Sequence, residues 1–307
     1  MASRAAVADL PALHPAVLPL LRELGDLKRI HSAGRDGSVA TRLFEAGWSE
    51  WLGGAGSDAV AYRIMGGALA ATRLGDLDWR NLGKFGLSAD ERHEVLERGI
   101  DAVAGALDGG LVTKLKAELD NPPAPAAALP TPIAALRHQP RAGVTGPGRP
   151  RIMLQPEENH AEHSFIVALY AGLLAPFYDA DPAEAFWHGM IHHLHSAAMP
   201  DAGYTGEVLL GGHLDAVIEL ARELALAELP EQVAVVCRSH LAAIADDSTA
   251  AARAFHAGDV IDRVLEIEHH LARSQVTISV VLDDYGLVHD GPVKAFHDRV
   301  LEEVGLP

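Results

Sequence analysis

The stretch "EENHAEHSFIVALYAG", residues 157–172, is the starting point for assigning a fold to this chain. His160 and His163 lie three residues apart, next to acidic residues, and lead directly into an apolar run. Each of them is either a structural residue at a helix end or the first ligand of a metal site. The surrounding sequence favours the second interpretation, because six of the chain's 17 histidines fall within 36 residues: His160, His163, His188, His192, His193 and His195.

Composition limits the classes of protein to be considered. The chain has 307 residues, 49% of them hydrophobic and 22% charged, which is typical of a folded protein of one large or two ordinary domains. A formal net charge of −17 argues against binding to nucleic acid or to an anionic membrane surface. The single cysteine, Cys237, fits a reducing compartment. The first residues show no secretory signal pattern, and we therefore expect a cytoplasmic protein.

Helical periodicity dominates the chain, which predicts an all-α fold. Residues 121–150 hold eight of the 18 prolines. This composition should not sustain a helix and predicts a semi-rigid linker or a wrapping segment. We therefore divide the chain into a helical N-terminal region (1–120) of unknown role, a proline-rich linker (121–150) and a metal-binding domain (151–307).

Each region carries further local predictions. Trp48, Trp51 and Trp79 in the N-terminal region are expected to serve helix packing or a homodimer interface. The stretch "VTISVVLDD", residues 276–284, fits either a short strand or the end of a helix. Periodicity after the linker predicts helices at about 158–178, 182–195, 213–228, 230–245 and 248–273.

The second histidine-rich stretch is "AFWHGMIHHLHSAAMPD", residues 185–201. On a helix, His188, His192 and His195 would share one face, and His193 would lie about 100° away. The neighbouring residues are apolar, so several imidazoles would be buried, and burial without partners is costly. Metal ligation, or hydrogen bonding to acids, would offset that cost. Further along the chain, Asp259 borders an apolar stripe, where a divalent ion would justify a carboxylate.

Three motifs, "NHAEHS" (159–164), "MIHHL" (190–194) and "AGDVID" (257–262), together resemble the HD superfamily of metal-dependent phosphohydrolases. The resemblance covers roughly residues 149–275 and is closest to the helical 5′-deoxynucleotidase-like branch. It implies an HD-type helical domain in which a His, a His-Asp doublet and a distal Asp hold the metal. By this resemblance His163, His192 and Asp259 are the ligands. The implied substrate is a small phosphorylated molecule such as a nucleotide.

The chain departs from the family pattern at two positions. The doublet is His192-His193 instead of His-Asp, and a neutral imidazole cannot bridge two ions as a carboxylate can. We therefore expect a single ion, drawn from Zn, Fe, Mn, Co or Ni rather than Mg. His193 would be either a ligand or a general acid. Ser196 stands where the branch has a glutamate that helps activate water, and Asp201 and Glu207 are possible replacements. Glu207 joins His193 as a catalytic candidate.

Several other residues have two interpretations. His213 and His240 either extend the metal site, as in the dinuclear phosphodiesterases and diiron oxygenases of the superfamily, or are ordinary histidines of helices. Arg149 and Arg151 either bind a substrate phosphate or lie on the surface. The literal His-Asp pairs at His289 and His297 lie in the wrong context for a metal site.

Three functional hypotheses follow. The chain is a metal-dependent phosphohydrolase, an iron-dependent oxygenase of the HD type, or a non-catalytic HD-like binding or regulatory protein. Metal content separates the third from the other two. Iron with an O₂-dependent spectrum separates the second from the first.

Overall fold

The computed structural model describes residues 13–119, 126–272 and 276–307. Its described residues contain α-helices, short 3₁₀ turns and three isolated β-bridges but no strand, so the predicted all-α fold is confirmed. The first seven helices are α1 (Leu18–Gly25), α2 (Val39–Leu52), α3 (Ser57–Leu74), α4 (Trp79–Lys84), α5 (Ala89–Asp101), α6 (Gly109–Leu119) and α7 (Thr131–Leu136). The remaining helices are α8 (His160–Leu174), α9 (Pro182–Ile191), α10 (Gly203–Leu210), α11 (Leu214–Leu226), α12 (Glu231–Ala243), α13 (Ala250–Leu271), α14 (Ile278–Asp284) and α15 (Lys294–Val304).

Helix α8 is the centre of the fold. Every one of its residues is buried, as expected for a helix that is hydrophobic on all sides. Its start is fixed by a capping box, in which the Asn159 side chain accepts from the Glu162 amide and the Glu162 carboxylate accepts from the Asn159 amide. Helices α2, α9 and α13 pack against it.

Helix ends differ from the periodic prediction at positions that matter for the site. Helix α9 ends at Ile191, and a 3₁₀ turn follows at Leu194–Ala197, so the predicted helix over 182–195 is interrupted at the His192-His193 doublet. The stretch at 276–284, for which a strand was one interpretation, contains helix α14. The predicted end of the α13 helix, residue 273, lies outside the described residues.

The proline-rich stretch contains structure that its composition did not suggest. Its first five residues lie outside the described residues, but helix α7 forms within it, with Pro132 in the first turn, where a missing amide proton costs nothing. Ile133 and Leu136 from this helix are buried in the main core. The segment therefore wraps the fold.

One hydrophobic core joins the N-terminal helices to the C-terminal ones. Trp48 of α2 is fully buried, and its ring centroid lies 5.7 Å from that of Trp187 of α9. The ring of Trp51 packs against that of Trp187 in a tilted arrangement, with the two centroids 4.4 Å apart. These two tryptophans serve helix packing, and the exact boundaries at 120 and 150 stay a prediction. Among the described residues, no helix has the length and apolarity needed to cross a membrane.

Candidate metal centre and pocket

Three helices bring the candidate ligands together, and two glycines permit the close approach. His163 lies in the first turn of α8, His192 directly follows α9, and Asp259 lies in α13. A Cβ atom on Gly189 of α9 would lie 2.3 Å from the Cα atom of Ala168 in α8, and one on Gly258 of α13 would lie 2.8 Å from the backbone nitrogen of Ala171 in α8. Any larger residue at either position would push its helix away from α8.

The two histidines present unprotonated nitrogens to each other. The Nδ1 of His163 lies 2.8 Å from Oδ2 of Asp262, and the Nδ1 of His192 lies 2.7 Å from the carbonyl oxygen of Gly189. Because both acceptors require a proton on Nδ1, the lone pair of each neutral imidazole is on Nε2. The two Nε2 atoms are only 3.4 Å apart. Two ligands of a tetrahedral zinc ion, each about 2.0–2.1 Å from it, would lie about 3.4 Å apart.

Asp259 brings a carboxylate oxygen beside His163, although the nitrogens that all lie within 4.8 Å of one another belong to His163, His192 and His193, and this group does not include Asp259. Its Oδ2 accepts from Arg263 at 2.9 Å, whereas its Oδ1 lies 3.5 Å from Nε2 of His163 and is buried with no hydrogen-bond partner among the described residues. A buried carboxylate oxygen without a donor is costly. Two imidazole nitrogens 3.4 Å apart, with this carboxylate oxygen beside His163, are donors of the types that bind a divalent transition-metal ion.

Electrostatics lead to the same conclusion. Burial and the Arg141 charge lower the pKa of His163, but its contacts with Asp259 and Asp262 outweigh them and the pKa is raised. Burial, followed by the charge of His163, holds the pKa of His192 well below its ordinary value. The pair therefore favours a single proton, and a metal ion can take the place of that proton.

His193 lies beside this pair. His163, His192 and His193 each offer a nitrogen, and the three nitrogens lie within 4.8 Å of one another. The Nε2 of His193 also lies 3.0 Å from Nη1 of Arg141. Because a guanidinium has only donors, this Nε2 accepts and the proton is on Nδ1. Burial, followed by His192, holds the pKa of His193 well below its ordinary value, so the imidazole is neutral.

A cavity of about 240 Å³ opens beside the ligands. Its wall includes two of the candidate ligands, His163 and His193. It also includes charged side chains, among them Arg141, Arg263, Asp201 and Glu207. The Asp201 carboxylate accepts from the amides of Ala142 and Gly203 at 2.9 and 2.8 Å. Burial raises the pKa of Asp201, but the hydrogen bond to His160 and the Arg141 charge outweigh burial and hold it below its ordinary value. Asp201 is therefore a fixed anion at the rim.

The structure does not bring all predicted residues to this site. Arg149 is exposed and faces Asp284, and Arg151 is exposed and donates to the carbonyl oxygens of Ala142 and Ala202. The arginines that line the cavity are instead Arg141 and Arg263. Neither was a sequence candidate. An isolated bridge between Pro140 and Asn159 sets Arg141 against the site, and nothing in the sequence spacing shows this pairing.

The extended metal set is not assembled either. His213 is exposed at the end of a 3₁₀ turn. The Nδ1 of His240 lies 3.0 Å from Nδ1 of His188, and the described ligand groups around His163 include neither His213 nor His240. His213 lies in the 3₁₀ turn that precedes α11, and His240 of α12 packs against His188 of α9. Glu207, a catalytic candidate from the sequence, lies on helix α10 and lines the cavity; the sequence did not suggest this helix.

The literal His-Asp pairs stay apart from the ligands. His289 lines the cavity wall and stacks on Tyr204 with ring centroids 3.7 Å apart, while Asp290 is exposed. Asp298 is exposed and pairs with Lys294. These pairs contribute no ligand group among the described residues.

The fold and the site together define an all-helical protein whose candidate metal ligands lie on the buried helix α8, directly after α9 and on α13. Residues 133–284 match the HD domain family, and this region of the chain therefore belongs to the HD superfamily. HD domains bind divalent metal ions and in general have metal-dependent phosphohydrolase-type activity. No curated protein and no solved structure was found to match the chain.

Proposed function

We propose that the chain is a metal-dependent phosphohydrolase that acts on a small phosphorylated molecule, with nucleotides as the first class to test. The observation that carries this proposal is the shared wall of the cavity. His163 and His193 form part of the same surface as the guanidinium groups of Arg141 and Arg263. Although carboxylates also line the cavity, two guanidinium groups beside a metal centre suit a phosphate group that contacts both.

The ion would be held by His163, His192 and Asp259, with Zn, Fe, Mn, Co and Ni as candidates. When bound, such an ion lowers the pKa of water and polarises phosphoryl oxygens. Asp262 and the Gly189 carbonyl oxygen orient the two imidazoles through their Nδ1 protons.

The two arginines differ in how many of their hydrogen-bond donors are already used by protein groups. Arg263 is committed to protein groups, because it donates to Asp259 and to the Leu287 carbonyl oxygen. Arg141 has looser contacts: its Nε lies 3.9 Å from Asp201 and 4.0 Å from Glu158. A guanidinium with free donors binds a phosphate through two parallel hydrogen bonds. We therefore assign the phosphate contact to Arg141, with His193 as the acceptor that orients it.

The proton for the leaving group is assigned to Glu207. Burial, followed by the neighbouring Asp201, raises the pKa of this carboxyl. A carboxyl with a raised pKa holds a proton closer to neutrality and can donate it to a leaving oxygen. The pKa of His193 is lowered, so we prefer Glu207 to His193 for this role.

The test is elemental analysis of the purified protein, followed by a screen for phosphate release from nucleoside mono-, di- and triphosphates. The screen uses chelator-treated protein with Zn²⁺, Mn²⁺, Co²⁺, Fe²⁺, Ni²⁺ or Mg²⁺ added in turn. His163→Ala should abolish both metal content and activity, whereas His213→Ala, at an exposed histidine, should change neither. Metal-loaded protein that releases no phosphate from any of these substrates would contradict the proposal.

A further inference from the structure

Lys28 is buried among carboxylates that belong to another part of the chain. It lies in the N-terminal region, in the 3₁₀ turn Asp26–Lys28, and its side chain is only 3% exposed. Its Nζ lies 2.7 Å from Glu158, 2.9 Å from Asp262 and 2.8 Å from Glu266. All three acids lie in the region that matches the HD domain family. The ammonium therefore has three anionic partners at hydrogen-bond distance, which uses all of its donors.

One of these carboxylates connects Lys28 directly to the metal centre. Oδ1 of Asp262 accepts from Lys28, and Oδ2 of the same group lies 2.8 Å from Nδ1 of His163. The relay Lys28–Asp262–His163 thus ends on the imidazole whose Nε2 faces His192. Each member is buried, with 3%, 2% and 1% of its side chain exposed, so water does not replace any of them.

The ammonium is the cation that this acid group requires. Glu158, His163 and Asp262 offer ligand atoms within 4.8 Å of one another, an arrangement that could otherwise attract an ion. Burial lowers the pKa of Lys28, but the charges of Asp262, Glu158 and Glu266 outweigh burial and raise it well above its ordinary value. Lys28 is therefore charged in the folded protein. Arg29 provides a second positive charge to Glu266 at 2.8 Å.

Lys28 joins the N-terminal region to the region that matches the HD domain family, and it also holds three buried carboxylates in place. If it were absent, Glu158, Asp262 and Glu266 would repel one another in a buried space, and Asp262 would be free to turn from His163. Removing one partner of a buried charge group leaves an uncompensated charge, which is strongly unfavourable. Removal of a group that orients a metal-bound histidine in this way typically lowers the metal affinity by about 10–100-fold.

We propose that Lys28 is a positioning residue of the metal centre, which holds Asp262 in the orientation that fixes His163 for ligation. The N-terminal region thereby contributes part of the site, although it supplies no ligand. This inference rests on the metal centre of the proposed function and not on the identity of the substrate.

The experiment compares Zn²⁺ affinity of the full-length chain and its variants by competition with a chromophoric chelator. Lys28→Met should bind Zn²⁺ at least about tenfold more weakly than the wild-type chain. Lys28→Arg keeps the positive charge and should recover part of the loss. Lys294→Met is the matched control, because it removes an exposed helical ion pair with Asp298, and it should bind Zn²⁺ as the wild type does.

A second readout separates positioning from general support of the fold. In ¹⁵N-detected NMR of the metal-free chain, recorded at a pH at which His163 is neutral, His163 should show a proton on Nδ1 in the wild type and a mixture of tautomers in Lys28→Met. If Lys28→Met does not fold, Asp262→Asn takes its place and should weaken Zn²⁺ binding by a similar factor. If both variants fold, the double variant should lose little more affinity than either single variant, since both act on His163 through one relay.

The outcomes are distinct. A folded Lys28→Met chain with wild-type Zn²⁺ affinity and an unchanged His163 tautomer would overturn the proposal, and so would wild-type affinity in Asp262→Asn. The measurements need no turnover. A wild-type chain that binds Zn²⁺ but hydrolyses no phosphate ester would therefore contradict the proposed function alone. A wild-type chain that binds no Zn²⁺ would overturn this inference together with the metal centre.

Discussion

The Nε2 atoms of His163 and His192 lie 3.4 Å apart, although each imidazole donates its Nδ1 proton elsewhere. Two lone pairs at this distance repel each other unless a cation lies between them. A proton on His163 would relieve this repulsion, and the pKa shifts favour it there, since the pKa of His163 is raised and that of His192 is lowered. In the proposed function, the metal ion would take this place.

Replacement of His163 by alanine should empty the metal site, because it removes one of the three converging donors. The measurement is metal content after reconstitution, by elemental analysis. The control is the double variant Asp290→Asn/Asp298→Asn, which changes the exposed acids of the literal His-Asp pairs and should keep wild-type metal content. Loss of metal in the double variant, with retention in His163→Ala, would show that the ligands lie elsewhere.

Replacement of His193 by aspartate should raise the metal-to-protein ratio or shift the preference toward Mn²⁺ or Mg²⁺. A carboxylate can bridge two ions and is a harder ligand than the imidazole present here. Titration of metal-free protein with each ion measures both effects. The explanation fails if the wild-type chain already holds two equivalents and the variant changes neither stoichiometry nor preference.

Arg141→Lys should raise the KM for a phosphorylated substrate, by tenfold or more, because a lysine lacks the planar fork that binds phosphate through two hydrogen bonds. Arg149→Lys is the control, at an exposed arginine that faces Asp284, and its KM should match the wild type. Steady-state kinetics and inhibition by inorganic phosphate provide the two measurements. An unchanged KM in Arg141→Lys together with a raised KM in Arg149→Lys would assign the phosphate contact to Arg149 instead.

Gly189→Ala should weaken both folding and metal binding, because the new Cβ atom would overlap the backbone of Ala168. Overpacking of this kind typically costs about 1–3 kcal/mol of unfolding free energy. Gly67→Ala provides a matched control within helix α3, where a Cβ atom meets nothing within 4 Å. That variant should be as stable as the wild type or slightly more so. Urea unfolding and Zn²⁺ competition measure the two properties, and equal behaviour of both variants would contradict the packing argument.

Metal-free protein should lose stability as the pH falls from 7 to 5. Burial lowers the pKa of His240 and His195 to about 4 and that of His188 to about 3, against 6.5 for an ordinary histidine. The stabilisation is complete above pH 6.5 and is lost as the pH falls toward 4, because the unfolded chain takes up protons that the folded chain does not.

The size of this effect is on the order of 1 kcal/mol per buried histidine between pH 7 and 5. Urea unfolding in the presence of a chelator measures it. His240→Gln should reduce the pH dependence by about that amount, whereas His213→Gln, at an exposed position, should leave it unchanged. A pH dependence that is identical in His240→Gln and the wild type would show that His240 is not a proton-linked group.

The sequence predicted the parts of the fold that depend on local pattern. The apolar periodicity of α8 and α13 and the histidine motifs were sufficient for the all-α class and for the HD superfamily, both of which are confirmed. His163, His192 and Asp259 were named from the motifs, and the structure places Nε2 of His163 3.4 Å from His192 and 3.5 Å from Asp259.

Other features depend on contacts between distant segments. Arg141 reaches the site through a bridge between two irregular segments, and Lys28 reaches it from the opposite end of the chain. Neither position has a periodic neighbourhood or a motif that marks it. The end of α9 at Ile191 was also missed, because the apolar pattern continues through Leu194 while the backbone leaves the helix.

The tryptophan packing described above has a consequence for modular exchange. Trp187 lies inside the segment that matches the family, while its partners Trp48 and Trp51 lie far upstream. A recombinant transfer of residues 133–284 alone into another protein would expose this indole to solvent. Residues 133–284 therefore cannot be transferred on their own without exposing Trp187, and a transferred segment must include helix α2.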